Sequence, residues 1–210
     1  AARFNLDVRV STEVVALDRD SRTVTFRDLT TGVTGQQEYD YLVLSTGATA
    51  TPITTDDSRA VTLRTIDDVD VIVSTLDAAG PDATAVVVGG GFIGLEAVDN
   101  LVGRGVRTSL VQRGSRLFPA LDPEMATLVL HEVRSRGVDV HLGTTVTGVT
   151  ERTVELSDGT SFAADLVIDA AGVRPATGLA RAAGLTIGPT GGIAVDDRHR
   201  TSDPAIFAVG

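Results

Sequence analysis

The sequence predicts an α/β fold in which parallel strands alternate with helices. An unbroken apolar run over 83–88 ends directly at Gly89, as expected of a strand with both faces buried. Residues 92–104 then carry apolar side chains at helical spacing. The same succession of apolar run and amphipathic stretch continues to residue 142, which gives the order β, α, β, α, β. The 22 glycines agree with the many tight turns of such a fold.

Composition and charge exclude several classes of function. The 210 residues include no Cys, and all 18 basic residues are Arg. These absences exclude a disulfide framework, a thiolate metal site, a cysteine nucleophile and a catalytic lysine within this chain. A net charge of -10 without a dense basic cluster argues against nucleic acid and anionic membrane as partners. No apolar run approaches the roughly 20 residues of a membrane span, so we expect a soluble, cytoplasmic protein.

The segment before residue 64 is expected to hold antiparallel strands. β-branched residues cluster over 8–15 and 23–26, and we expect the polar stretch 28–37 to form turns. The apolar run 41–44 predicts a short buried strand that ends at Ser45. Pro52 and the polar residues after it predict a linker and a domain boundary.

Capping residues mark the helices of the central segment. Thr65 and Asp68 form a capping-box pattern, and Gly80 is expected to end the helix that Thr65 begins. Gly105 is placed as the C-terminal cap of the helix over 92–104.

A third helix is predicted to begin after Asp122, with Pro123 at its first position, and to end before Gly137. The side chains expected to face inward are Met125, Leu128, Val129 and Val133. Apolar runs over 106–111 and 138–142 predict the strands on either side of this helix.

The segment after residue 142 is expected to form a β-meander that returns to the parallel sheet. Its predicted strands are 146–149, 153–156 and 162–171. A short helical turn is predicted over 179–184, and further strands over 193–195 and 206–209.

A glycine pattern at the first of these parallel strands indicates a nucleotide. Gly89, Gly91 and Gly94 match GxGxxG between an apolar strand and an amphipathic helix. In that context the first glycine allows a tight turn, the second lets a pyrophosphate approach, and the third lets the helix pack on the strand. The amides of Phe92 and Ile93 would face the phosphates. The alternative is a strand-to-helix turn without a ligand. The sequence therefore predicts a Rossmann-like, three-layer NAD(P)-binding domain with a β-meander.

The end of the next strand bears on which nucleotide fits. An acidic residue there would bind the ribose 2′-hydroxyl and repel a 2′-phosphate, but this chain has Gln112, followed by Arg113 and Arg116. Gln112 can still bond a hydroxyl, and the two guanidinium groups can hold a phosphate. NADPH is therefore allowed and NADH is not excluded. The alternative is that both arginines are solvated loop charges.

Several stretches in order resemble the FAD-dependent pyridine nucleotide-disulfide oxidoreductases. These are VVVGGGFIGLE, LFPALDPEMA, DAAGVRPAT and TSDPAIFAVG. RFNLDVRV, YDYLVLSTGA and TLRTIDDVD are most similar to the coenzyme A-disulfide reductase, NAD(P)H polysulfide reductase and NADH oxidase group. The resemblance implies an NAD(P)H domain over 63–178, flanked by parts of an FAD-binding domain over 1–62 and 179–210. It also implies that the chain is a fragment.

The resemblance assigns roles to individual residues. Phe92 matches the aromatic residue that covers the flavin, and Glu96 matches a glutamate that pairs near the nicotinamide with a lysine absent from this chain. Gly172 and Pro175 match the closing motif beside the pyridine nucleotide, and STGA at 45–48 matches part of the FAD domain. The redox cysteine would lie upstream of Ala1, so no catalytic residue is expected here. An ordinary core aromatic at Phe92 and a surface charge at Glu96 are the alternatives.

The resemblance also implies the reaction of the intact enzyme. Hydride would pass from NAD(P)H to FAD and on to a small-molecule acceptor such as coenzyme A disulfide, polysulfide or oxygen, in a homodimer. The fragment alone is expected to be inactive. A ferredoxin reductase-like electron-transfer enzyme and a stand-alone nucleotide-binding module are the alternatives. His131, His141 and His199 lack ligand spacing, so no metal site is expected.

Overall fold

The computed structural model describes residues 6–51, 53, 60–150 and 153–210. Its chain divides into two compact units. Unit 1 comprises Ala1–Thr49 and Arg174–Gly210, and unit 2 comprises Ala50–Val173. Most of the predicted linker from Pro52 onward lies outside the described residues.

Unit 1 begins with three antiparallel strands, β1 (Thr12–Asp18), β2 (Thr23–Asp28) and β3 (Thr34–Glu38). The prediction of turns throughout 28–37 was wrong, because β3 lies largely within that stretch. Its residues are mostly exposed and polar, so the strand leaves no apolar alternation in the sequence. The first strand also begins at residue 12 rather than 8. β4 (Leu42–Leu44) confirms the predicted apolar strand, and β5 (Ala48–Ala50) follows it.

Unit 2 is built on a parallel sheet of five strands, with the order β6-β13-β7-β8-β9. The elements in chain order are β6 (Ala60–Thr62), α1 (Ile66–Ala79), β7 (Thr84–Val88), α2 (Phe92–Gly103), β8 (Arg107–Gln112), α3 (Pro123–Ser135), β9 (Asp139–Leu142), β10 (Val146–Val149), β11 (Thr153–Leu156), β12 (Ser161–Ala163) and β13 (Leu166–Asp169). All four strand pairs of the sheet are parallel.

Both faces of this sheet are covered, which gives unit 2 three layers. Ala85 and Val87 on β7 pack with the apolar side chains of α1, α2 and α3. Val86 and Val88 point to the other face and pack with the antiparallel meander β10-β11-β12. The apolar run over β7 is therefore unbroken because alternate side chains enter two different cores. The predicted three-layer α/β fold is confirmed.

The predicted caps of the first two helices are confirmed. Thr65 and Asp68 form a complete capping box at the start of α1. Gly105 follows the end of α2 with a φ of 79°, in the left-handed region that glycine favours.

The inward face of α3 was predicted only in part. Pro123 is its first residue, and Val129 and Val133 pack against the core as expected. Met125 and Leu128 are exposed, so their predicted inward orientation was wrong. The buried position is Ala126, and Val129 and Val133 follow it at helical spacing, which leaves Leu128 on the opposite side of the helix.

The stretch 162–171 was predicted as one strand, but the structure divides it in two. β12 belongs to the meander, whereas β13 lies in the parallel sheet between β6 and β7. Asp165 holds the bend between them, because its carboxylate accepts hydrogen bonds from the Thr84 N–H at 2.8 Å and the Thr84 hydroxyl at 2.7 Å. A bend set by a distant partner leaves no local turn signal.

The chain returns to unit 1 through β14 (Val173–Pro175), α4 (Gly178–Ala182) and β15 (Ile206–Ala208). β15 pairs in parallel with β4, and their buried side chains share a core with Leu17, Ala180 and Leu185. The strand predicted over 193–195 is absent from the described residues except for one bridge between Ile187 and Ile193. Among the described residues, no helix has the length and apolarity to cross a membrane.

Candidate functional site

The candidate site begins at the glycine loop between β7 and α2. Gly89 has a φ of 109°, and a Cβ there would strike the backbone of Ala170. A Cβ on Gly94 would strike the carbonyl oxygen of Gly89. These two positions therefore require glycine, one for the turn and one for the close approach of α2 to the strand end.

The first turn of α2 presents backbone amides without partners. Gly91 is the N-cap of α2, and no side chain caps this end. Within the described part of the chain, the N–H groups of Gly91, Phe92 and Ile93 donate no hydrogen bond. A Cβ on Gly91 would meet nothing within 4 Å other than its chain neighbours, so there is space beside these amides. Free amides at the positive end of a helix favour an anion.

The middle glycine of the loop is held from two sides. The Gly90 N–H donates to Gln112 Oε1 at 2.9 Å, and the Gly90 carbonyl accepts from the Phe118 N–H at 2.7 Å. Leu117 is fully buried, and a Cβ on Gly90 would strike its side chain. The Gln112 oxygen is therefore already engaged, and its amide nitrogen is the group left to donate to a hydroxyl. No site role was assigned from the sequence to Leu117 and Phe118, although both lie in the stretch LFPALDPEMA, because their contacts with Gly90 are made across the fold and leave no local pattern.

Phe92 and Phe118 form an aromatic pair beside the loop. Their ring centroids are 4.2 Å apart at an interplanar angle of 75°, an edge-to-face arrangement. Phe92 is 74% exposed, which excludes the ordinary core aromatic that was the alternative for this position. Phe118 has a φ of 49°, which is uncommon for a residue with a side chain.

Glu96 lies one helical turn further along α2 and is exposed. It lines a cavity of about 390 Å³ between α1 and α2, together with Ile93, Asn100 and Ile72. Its carboxylate forms no ion pair with the described residues.

Arg113 and Arg116 are exposed in the loop between β8 and α3. Neither belongs to any ion pair of the described residues, although seven of the eight such pairs join an arginine to a carboxylate and together they engage six other arginines. Their guanidinium groups are therefore available to an anion from outside the chain.

The end of β13 carries a second group that sequence reasoning missed. Asp169 is buried, and its carboxylate accepts hydrogen bonds from the N–H groups of Ile53 and Ala171, each at 3.0 Å. Gly172 is exposed with a φ of 128°, and its carbonyl accepts from the Thr51 N–H. An acidic residue after three buried apolar residues was the available signal for Asp169.

Unit 1 has a separate cavity of about 420 Å³ at the STGA motif. Thr46 donates its hydroxyl proton to the Ala176 carbonyl at 2.7 Å, and Gly47, with a φ of 63°, accepts from the Ala176 N–H. Thr177, His199 and Gly210 also line the cavity. In the part of the chain that the structure describes, no group of three or more His, Cys, Asp or Glu is placed to hold a metal ion.

The parallel sheet, the glycine turn and the free amides together define an α/β protein of the dinucleotide-binding class. Comparison with known proteins assigns it more closely. The model of the pyridine nucleotide-disulphide oxidoreductase family matches residues 1–210, and the chain belongs to that family. The resemblance drawn from the sequence is confirmed.

Two curated relatives show how much of a longer protein the chain spans. It is 35% identical over 216 residues to the nitrite reductase [NAD(P)H] large subunit of Klebsiella oxytoca, covering 99% of this chain and 22% of the relative. It is 30% identical over 206 residues to the coenzyme A disulfide reductase of Staphylococcus haemolyticus, covering 97% of this chain and 47% of the relative. The chain therefore spans half or less of these relatives.

Solved structures of related proteins share the fold. The reduced Bacillus anthracis CoADR-RHD matches with a TM-score of 0.95 and 37% identity, over 100% of this chain and 38% of that one. An engineered water-forming NADPH oxidase bound to NADPH matches with a TM-score of 0.87 and 28% identity, over 95% of this chain and 45% of that one. The putidaredoxin reductase of a covalent complex with putidaredoxin matches with a TM-score of 0.84 and 34% identity, over 95% of this chain and 49% of that one.

Proposed function

We propose that this chain is the pyridine-nucleotide-binding portion of an FAD-dependent disulfide reductase. Residues 63–178 form its NAD(P)H domain, and 1–62 and 179–210 are parts of its FAD domain. The observation that carries the proposal is the open glycine loop, where the N–H groups of Gly91, Phe92 and Ile93 have no partner among the described residues. An anion with several oxygens, such as a pyrophosphate, satisfies such a set of donors.

In the intact enzyme, NAD(P)H would supply a hydride for FAD, and the electrons would then go to a thiol or disulfide acceptor. The chain's own part is binding and orientation. The α2 amides hold the pyrophosphate, and Gly91 lets it approach because no side chain stands in the way. Phe92 and Glu96 follow on the same helix and are placed to contact the nicotinamide half, and Gly172 closes the site beside them.

The loop after β8 favours NADPH. Gln112 does not repel a 2′-phosphate, and the two free guanidinium groups of Arg113 and Arg116 supply charge-assisted donors to it. The five substitutions of the engineered NADPH oxidase support this assignment, because two of them introduce arginine and one removes aspartate.

The motif at 45–48 and the cavity of about 420 Å³ beside it are the part of unit 1 suited to FAD. Thr46 and Gly47 fix that turn beside the cavity through hydrogen bonds with Ala176. No residue of this chain carries the redox step. The acceptor is a small molecule of the coenzyme A disulfide, polysulfide or oxygen type, and the intact enzyme is a cytoplasmic homodimer with no nucleic-acid or membrane partner.

A second candidate is an electron-transfer enzyme that delivers electrons to an iron–sulfur protein. The match to putidaredoxin reductase favours it. A redox-active cysteine in the flavin domain of the full-length gene product supports the disulfide reductase, and its absence supports the second candidate. A stand-alone nucleotide-binding module requires a mature protein of 21.8 kDa, which mass measurement of the native protein tests.

Calorimetric titration with NADPH and NADH tests the proposal directly. We expect both to bind, with NADPH binding more tightly. Arg113→Ala and Arg116→Ala should each weaken NADPH binding by about tenfold, since a charge-assisted hydrogen bond contributes about 1.5–3 kcal/mol, and should leave NADH binding nearly unchanged. Gln112→Glu should reverse the preference.

Arg181→Ala is the matched control, because Arg181 lies on α4 in unit 1. It should change neither affinity. If the wild-type protein binds neither nucleotide, the assignment of the glycine loop is wrong. If the wild-type protein binds both nucleotides but the two arginine variants bind NADPH as tightly as it does, the assignment of the glycine loop stands. The role given to the two arginines is then wrong.

A further inference from the structure

Phe118 belongs to the stretch LFPALDPEMA but received no role from the sequence, and it is joined to the glycine loop in three ways. Its N–H donates to the Gly90 carbonyl at 2.7 Å. Its ring lies edge-to-face against Phe92, the first residue of α2. Its chain neighbour Leu117 is fully buried against Gly90. The loop that follows β8 is thereby attached to the start of α2.

The backbone of Phe118 supports a positioning role. Its φ of 49° lies in the left-handed region, which a bulky side chain adopts only where the surrounding structure holds it. This conformation turns the chain so that the N–H reaches Gly90 while the ring reaches Phe92. Leu121 N–H then donates to the Phe118 carbonyl at 2.9 Å, which closes the turn before α3.

The same loop carries the two unpaired guanidinium groups. Arg116 lies two residues before Phe118, and Arg113 precedes both. The other attachment of this loop within the described chain is the Gly143 N–H, which donates to the Gly114 carbonyl at 3.0 Å. Phe118 therefore anchors the end of the loop that is nearest to Arg116 and to the glycine loop.

We propose that Phe118 is a positioning residue that sets the preference for NADPH over NADH. By packing on Phe92 it holds the arginine-bearing loop at a fixed distance from the phosphate-binding amides of α2. NADPH needs both sets of donors at once, the amides for its pyrophosphate and the arginines for its 2′-phosphate, whereas NADH needs only the amides. This inference rests on the proposed nucleotide site and adds a residue to which neither the glycine pattern nor the resemblance assigns a role.

The test compares ring removal with ring retention in the full-length gene product. Phe118→Ala should weaken NADPH binding by about five- to tenfold, which corresponds to about 1–1.4 kcal/mol and lies within the range for an aromatic pair, and should change NADH binding by less than about twofold. Phe118→Tyr keeps the ring and should retain the wild-type ratio of the two dissociation constants. Phe118→Gly also removes the ring, although glycine adopts the positive φ without strain. It should therefore lose the preference for NADPH as Phe118→Ala does.

Phe162→Ala is the control for loss of a stacked aromatic ring elsewhere in unit 2, since Phe162 stacks on His141 in the meander layer. This variant should lower the stability of the protein without changing the ratio of the dissociation constants for NADPH and NADH. Hydrogen exchange without nucleotide gives an independent measurement, and Phe118→Ala should speed exchange in residues 113–122 while leaving β11 unchanged.

The outcomes separate the inference from the proposed function. An unchanged NADPH to NADH ratio in Phe118→Ala, or an equal loss for both nucleotides, overturns the inference and leaves nucleotide binding intact. Unchanged exchange over 113–122 also overturns it. If the wild-type protein binds neither nucleotide, the proposed function fails and the positioning role fails with it.

Discussion

The two units each contain a parallel sheet, and among the described residues only the sheet of unit 2 is covered on both faces. In unit 2, β7 lies between three helices and the meander, and Val87 has no exposed surface. In unit 1, Leu44 and Ile206 of β4 and β15 are buried, but Val43 on the opposite face is 59% exposed. Tyr41 and Phe207 lie on that same open face and contact each other.

This difference bears on how complete each unit is. Parallel strands normally have both faces covered, and the apolar side chains on the open face of β4 and β15 fit that rule. The described residues of unit 1 do not supply the cover. The open face therefore supports the proposal that unit 1 is part of a larger FAD-binding domain, whereas unit 2 has all three layers of its own.

The largest expected effect comes from placing a charge in each sheet. Val87→Asp buries a carboxylate between covered layers and should cost about 4 kcal/mol or more of unfolding free energy. Val43→Asp places the same group on the open face and should cost less than about 1 kcal/mol. Urea titration of the 210-residue chain gives both values, and hydrogen exchange assigns each to its unit.

Equal costs for the two variants would break the comparison, because they would mean that the face of Val43 is covered, for instance by a second copy. The contrast sharpens in the full-length gene product. There, Val43→Asp should become strongly destabilising if further parts of an FAD domain cover that face.

A second prediction concerns the loop at the end of the covered sheet. Gly94→Ala drives a Cβ into the Gly89 carbonyl and should cost about 2 kcal/mol, because neither backbone segment can move freely. NADPH binding should fall at least about tenfold, since the amides of the first turn shift with the helix. Thermal unfolding and calorimetry measure the two effects.

Gly103→Ala is the matched control on the same helix. A Cβ there meets nothing within 4 Å, so alanine should stabilise the helix by about 0.5 kcal/mol and leave nucleotide binding unchanged. Normal stability and binding in Gly94→Ala would show that the close approach of α2 to β7 is not needed.

The sequence predicted those features whose causes are local. The capping box of Thr65, the helix end at Gly105 and the steric roles of Gly89 and Gly94 each follow from a residue type at a fixed spacing. Features that depend on distant partners were missed. Phe118 reaches Gly90 across 28 positions, and Asp165 bends the chain by holding Thr84 across 81 positions. β3 was missed for another reason, since an exposed strand with polar side chains has no apolar period to detect.

The smallest expected effect concerns acid and the helical layer of unit 2. Desolvation acts to raise the pKa of Asp68, but hydrogen bonds from the Arg64 and Thr65 N–H groups and the Thr62 hydroxyl outweigh it, so the pKa is lowered. A carboxyl with a lowered pKa in the folded state stabilises fully above its unfolded pKa, about 3.9. That stabilisation is lost as the pH falls from about 4 through the folded-state value.

Asp68→Asn should therefore cost about 1 kcal/mol at pH 7, the usual contribution of a capping side chain, and this cost should shrink as the pH falls below about 4. Asp70→Asn changes an exposed carboxylate of the same helix outside the capping box and should leave the unfolding free energy nearly unchanged. Hydrogen exchange over α1, followed from pH 7 to pH 3, measures both. Because the hydrogen bonds of Asp68 lie within unit 2, the loss of protection against exchange should appear in α1 and not in β1 of unit 1. An equal loss in both units would mean that the two units unfold as one and would remove the basis for treating them separately.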